Sequence, residues 1–219
     1  MAFPASPSNN QVHKEGDKTF VYDTALGGGS VGVWDQVKEA NPQETGSITN
    51  TTLSSGVTFP AGHVLQVVST TLRTVTSITG AAFAEITGLT AAITPSSTSS
   101  KILVNVYFGR IAPNLTSGTT IAIRLMRGAT VVGAGTAAGS QLATSFVATS
   151  NPNANYNTGG LSTQFFDNPN TISPITYSVQ AWGEGNVLVY FNRSYVGGTG
   201  TNVYQSASAS TITLMEIAG

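Results

Sequence analysis

From Val64 onward, short β-prone runs recur every 8–15 residues: VLQVVSTT, AAFAEITGL, KILVNVYF, TIAIRLM, SFVAT, TQFFD, ITYSVQAW, NVLVYF and STITLMEIA. Between them lie TPSSTSS, APNLTSG, NPNANYNTGG, DNPN, GEGN and GGTGTN, built from residues that favour turns. No stretch carries an apolar stripe at helical spacing with caps at its ends. About nine or ten strands in roughly 155 residues predict an all-β chain with one antiparallel β-sandwich or barrel.

Alternation also predicts which way the side chains point. In KILVNVYF, Ile102, Val104, Val106 and Phe108 share one face, while Leu103, Asn105 and Tyr107 form the other. NVLVYF repeats this, with Val187, Val189 and Phe191 opposite Leu188 and Tyr190. A sandwich with one wet side should carry polar residues on its outward positions. Strands apolar on both faces predict a second buried surface, and self-association is its simplest source.

The N-terminal 60 residues differ. Residues 1–12 are rich in Pro, Ser and Asn and read as an arm, without the basic start or apolar core of a signal peptide. KTFVYD and VGVWDQV predict two strands around TALGGGS, with Phe20 and Tyr22 on one face and Trp34 available for aromatic cross-strand pairing. Residues 39–60, between this module and the larger body, show no sustained period and read as an extended linker, up to roughly 70 Å long at ~3.3 Å per residue. The expected organisation is therefore a module at 1–38, a linker at 39–60 and a β-sandwich body at 61–219.

Charge sharpens this division. Of 219 residues, 9 are Lys or Arg and 10 are Asp or Glu, so 9% are charged, against roughly a quarter in an average soluble domain. Nine of these nineteen charges fall within residues 1–44. Ser and Thr together supply 54 residues, so hydroxyls must keep the body wet. The near-neutral balance argues against nucleic-acid binding, which needs clustered Lys and Arg. No apolar run approaches the ~20 residues of a membrane span, so no membrane insertion is expected. The absence of cysteine excludes disulfides and thiolate chemistry, and His13 and His63 are too few for a multi-histidine metal site. Neither a metal nor another cofactor is expected.

Candidate chemical motifs mostly resolve into structural readings. Gly27-Gly28-Gly29-Ser30-Val31-Gly32 fits a dinucleotide fingerprint in spelling, but it leads into a strand and a Pro-containing linker rather than a helix. His63 lies where the linker enters the first strand of the body, a structural position, and His13 lies in the arm. A glycosidase needs two facing carboxylates. The body offers Glu85, Asp167, Glu184 and Glu216, of which Asp167 reads as a turn cap in DNPN and Glu184 as part of a hairpin turn in WGEGN. No catalytic pair can be nominated. Asn50, Asn114 and Asn192 stand in glycosylation sequons by chance in a chain this rich in Asn, Ser and Thr. Arg124 and Arg127, flanking Met126, predict a single surface ion pair. The best recognition chemistry is in residues 151–160, where Asn153, Asn155 and Asn157 offer amides around the flat ring of Tyr156, with Tyr195 and Tyr204 bracketing another Gly/Thr-rich loop.

The run LQVVSTTLRTVTSITGAAFAEITGLTAAITPSSTSSKILVNVYF, then IRLMRGATVVG, FFDNPN…ITYSVQAW and the ending STITLMEIAG, resembles the C-terminal region of fibre-like virion structural proteins of marine bacteriophages, cyanophages above all. The opening FPASPSNNQVHKEGDKTFVYD…VWDQV is similar to the short N-terminal module of such proteins, although the GGGS stretch departs from the shorter loop of the relatives. The resemblance implies a homotrimeric virion appendage whose C-terminal knob is a jelly-roll-like sandwich, similar in architecture to C1q/TNF-type trimers. The expected function is a non-enzymatic short tail fibre or spike. In it, Phe3, Phe20, Tyr22 and Trp34 anchor the chain to other virion proteins, and the Asn- and Tyr-bearing loops meet a host surface glycan or protein. A head-decorating fibre or vertex protein, a polysaccharide depolymerase and a soluble lectin-like module are the alternatives.

Overall fold

A computed structural model describes residues 6–8, 10–15, 18–23, 33–37, 58–80, 82–114, 119–149, 160–194 and 205–219. The chain divides into two units, residues 1–57 and 58–219.

The first unit holds a three-stranded antiparallel sheet in the order β1-β2-β3, from Val12–Glu15, Lys18–Asp23 and Val33–Val37. The two strands expected here are present, with Tyr22 in register opposite Trp34. The arm reading needs correction from Ser8 on. Val12–Glu15 pairs with β2, Asn10 N–H donates to the Tyr22 carbonyl at 2.8 Å, and Ser8 N–H donates to Gln11 Oε1 at 2.9 Å. The register puts Glu15 opposite Lys18.

The second unit is an antiparallel β-sandwich. Its strands are β4 (Val64–Leu72), β5 (Thr76–Thr79), β6 (Ala84–Ile93), β7 (Lys101–Phe108), β8 (Ile111–Pro113), β9 (Thr120–Arg127), β10 (Thr130–Val132), β11 (Phe146–Thr149), β12 (Leu161–Asp167), β13 (Ile175–Gly183), β14 (Leu188–Phe191) and β15 (Ser210–Ile217). One sheet has the order β12-β7-β15-β4. The other has the order β10-β9-β13-β6, with β11 also on the β9 edge. Strands β4, β6, β7, β9, β11, β12, β13 and β15 thus pass between the two sheets in the double Greek-key sequence of a jelly roll. A small third sheet, β5-β14-β8, completes the core.

The core is the meeting of two inward faces. Ile102, Val104, Val106 and Phe108 of β7 and Ile212 and Leu214 of β15 meet Ile121, Ile123 and Leu125 of β9 and Tyr177, Val179 and Ala181 of β13, all fully or almost fully buried. The Phe108 ring lies 6.1 Å from Phe191 of the third sheet and 5.7 Å from Phe146. Fully burying each aliphatic side chain contributes about 1.5–3 kcal/mol, which makes this shared face the main source of stability.

The turn expected in WGEGN is not a hairpin. Residues Glu184–Asn186 form a 3-10 turn that carries the chain from β13 in the second sheet to β14 in the third. Asp167 is not a turn cap either. It ends β12, points inward and is buried. Tyr177 Oη donates to its Oδ2 at 2.7 Å, and Arg127 Nη1 reaches Oδ1 and Oδ2 at 3.0 and 2.9 Å. The ion pair expected of one arginine therefore joins the two sheets rather than decorating the surface.

Candidate interaction surfaces

The outward face of the first sheet can be read off the register. Thr211 pairs with Tyr107, Thr213 with Asn105 and Met215 with Leu103 across β15 and β7. On the outer strands, Phe166 pairs with Leu103, and Val67 with Met215. One row across all four strands therefore reads Phe166, Leu103, Met215, Val67, with no polar side chain in it. Phe166 is 45% and Val67 54% exposed, and Tyr107 on the same face is 46% exposed. Ile217 and Val64 pair immediately beside this row, where Lys101 Nζ lies 5.8 Å from the centre of the Phe166 ring. The two rows on its other side are polar: Gln164, Asn105, Thr213, Ser69, and then Ser162, Tyr107, Thr211, Thr71 with its single aromatic ring.

Leu103 and Tyr107 were legible on this second face from the sequence, but Phe166, Met215 and Val67 were missed. The signal was present. In TQFFD two adjacent aromatics must point to opposite faces of a strand, so Phe165 packs on the core and Phe166 turns outward.

The second sheet's outward face has a different character. Gln180 of β13 is in register with Glu85 on one side and Arg124 on the other. Arg124 Nε and Nη2 donate to Gln180 Oε1 at 2.9 and 2.7 Å, and the guanidinium carbon lies 3.9 Å from the centre of the Phe83 ring. Trp182 stands two residues along on the same face, in register with the small Ala122. Burial pushes the Arg124 guanidinium below its ordinary value.

Of the residues expected to anchor the chain, Phe20 and Tyr22 lie two apart on β2 and are half-buried, and Trp34 is placed by its register opposite Tyr22. Phe3 lies outside the described residues, as do Asn153, Asn155, Tyr156, Asn157, Tyr195 and Tyr204 and the glycine run 27–32. The strand after residues 151–159 begins at Leu161, opposite Phe108, and the strand after 195–204 begins at Ser210, whose neighbour Thr211 is opposite Tyr107. Both segments thus feed strands that start at the Phe108 end of the first sheet. His63 is exposed at the entry to β4, with Nδ1 donating to the Pro60 carbonyl at 3.0 Å and its ring 5.9 Å from Phe59.

The carboxylates of the body are placed apart in role. Glu85 is exposed on the second sheet and Glu184 is exposed in its turn, while Asp167 is taken up by Tyr177 and Arg127. Glu216 is buried, with Oε1 accepting from Ser96 N–H, Ser96 Oγ and Ser100 Oγ at 2.6–2.7 Å and Oε2 accepting from Gln66 Nε2 at 2.6 Å. Desolvation pushes this carboxyl up, and the hydrogen bonds from Ser100, Ser96 and Gln66 outweigh it, leaving it below the usual glutamate range. Asn192 of the third sequon is buried, with Nδ2 donating to the carbonyls of Leu72 and Thr74, so no glycan can be attached there. Among the described residues no three His, Asp or Glu side chains group as metal ligands, and no helix is long and apolar enough to cross a membrane. Comparison with protein-family models and with curated proteins finds no match to this chain.

Proposed function

We propose that the chain is a non-enzymatic virion appendage, a short tail fibre or spike, that works as a homotrimer. Its N-terminal sheet attaches to another virion protein, and its jelly-roll unit meets the host surface. The observation that carries this reading is the unbroken apolar row Phe166–Leu103–Met215–Val67 on an outward sheet face. A monomer leaves that row partly in water, with Phe166 and Val67 at its ends exposed, and a second and third copy of the chain cover it. Resemblance to marine phage fibre proteins supplies the copy number and the virion setting.

Chemistry favours assembly over catalysis. The two buried carboxylates of the second unit, Asp167 and Glu216, commit their oxygens to internal hydrogen bonds, which holds them in place rather than poising them for proton transfer. On the attachment side, a small sheet bearing Phe20, Tyr22 and Trp34 suits insertion of aromatic anchors or addition of a partner strand.

Electron microscopy of intact particles with the protein labelled tests the placement. Density at the tail supports the reading, and density on the capsid favours the head-decorating alternative. Particles carrying Tyr22→Ala with Trp34→Ala should lack the protein. Normal adsorption by particles that lack it would overturn the host-contact role. Shortened host polysaccharide after incubation with the purified protein would overturn the non-enzymatic one.

A further inference from the structure

The outward face of the second sheet carries a cluster of aromatic, charged and amide side chains around Gln180. On a hydrated face, alternation calls for Ser, Thr and other small polar residues, as at Thr176 and Ser178 of β13. The next two outward positions hold Gln180 and Trp182 instead. Beside them the partner strand is irregular. Residues 86–89 of β6 face the single Val179 of β13, and Gly88 sits within this bulge at φ +88°. A bulge re-aims the residues beyond it. Here it brings Glu85 into register with Gln180 and Ala84 into register with Ala181, with Phe83 just before the strand.

Arg124 is held across this row. Gln180 Oε1 accepts from both Nε and Nη2, and the Phe83 ring supports the guanidinium at 3.9 Å, so the plane is fixed and the Nη1 edge remains to donate. Its side chain is already ordered, so a ligand that binds it does not bear that entropy. An indole, an immobilised planar donor and a carboxylate acceptor therefore lie together on one outward face.

We infer that this cluster binds a neutral sugar residue of a surface glycan. The apolar C–H face of a pyranose stacks on Trp182, and vicinal hydroxyls donate to Glu85 and accept from Arg124. One positive and one negative group in the same row cancel, which removes any preference for acidic sugars. The inference deepens the host-contact reading and rests on it. In a homotrimer that covers the first sheet, three such second-sheet sites stay exposed, and weak single sites gain through multivalency.

The chain contains two tryptophans, so Trp34→Phe leaves Trp182 as the sole indole reporter. Fluorescence titration of this variant with neutral gluco-, galacto- and manno-oligosaccharides, and with oligogalacturonate, reads the site directly. A saturable change in emission with a neutral oligosaccharide, independent of salt, is the expected result. Arg124→Lys keeps the charge but loses the planar fork, and it should weaken binding about tenfold or more, as should Gln180→Ala. No response to any neutral oligosaccharide, or a response to oligogalacturonate alone, would overturn the inference. Mass measured on the same sample separates the two ideas: a trimer without sugar response sinks only the sugar site, and a monomer with one sinks only the assembly.

Discussion

Leu103 and Met215 stand opposite each other in the register of β7 and β15, and both side chains point away from the core. Their inward neighbours, Val104 and Leu214, are also register partners and are fully buried. The same pair of strands therefore presents apolar side chains on both faces, of which only the inner one is fully buried by the described residues.

Replacing Met215 or Leu103 by Lys separates these two roles. Neither side chain is in the core, so the thermal midpoint of the isolated chain should move little. In the proposed assembly the new ammonium would be buried without a partner, a loss of several kcal/mol. Sedimentation should show the variants dissociating at concentrations where the parent protein stays associated. Unchanged association of both would mean that the interface lies elsewhere.

The contact of Asp167 with Tyr177 and Arg127 predicts an order of effects. Burial and the neighbouring Asp167 carboxylate raise the Tyr177 phenol well above its ordinary value, so it remains a hydrogen-bond donor throughout the working pH range. Tyr177→Phe removes one donor and leaves the ion pair, at a cost of about 1–2 kcal/mol. Asp167→Ala strands a buried hydroxyl and a half-buried guanidinium together, at a cost of about 3–5 kcal/mol. Urea unfolding should rank the two in that order.

Asn192 is a junction of three chain segments. Its Nδ2 donates to Leu72 and Thr74 carbonyls at 2.8 and 3.0 Å, its Oδ1 accepts from Ser210 Oγ at 2.6 Å, and its backbone sits at φ +66°. Asn192→Gly relieves the backbone but removes the hydrogen bonds, whereas Asn192→Ala removes them and keeps the strain. The glycine variant should lose about 2–3 kcal/mol and the alanine variant about 1 kcal/mol more, measured by denaturant unfolding.

Glu216 sets an acid limb on stability. Its folded carboxyl lies below the ordinary 4.5, so the unfolded chain binds the proton first as pH falls. The stabilisation is complete above the unfolded value and is lost as pH drops through the folded one. Thermal midpoints should therefore fall below about pH 4.5 in the parent protein. Glu216→Gln should be less stable at neutral pH and flatter across the acid range, so that the two curves converge. Parallel curves would assign the acid limb to other groups.

Legibility in the sequence tracked the length and regularity of each strand. KILVNVYF has a full period-two pattern and is β7 residue for residue. Strands β5, β8 and β10 hold three or four residues each, too few to show a period, and β5 and β8 are ordered by β14, far away in sequence. Strand β1, VHKE, hid behind its polarity. Glu216 was legible in part, because the phase of Ile212 and Leu214 already points it inward. Its partners Ser96, Ser100 and Gln66 come from 116 to 150 residues away, and local pattern carries no trace of them. The Arg124, Phe83 and Trp182 cluster was invisible for the same reason, since it exists only once β6, β9 and β13 are laid side by side.

Multi-angle light scattering on the purified chain tests the central claim most directly. A mass three times 22.5 kDa, held on dilution into the low micromolar range, is the predicted result. A stable mass of 22.5 kDa at the same concentrations would contradict it and leave the outward row of Phe166, Leu103, Met215 and Val67 without the partner proposed for it.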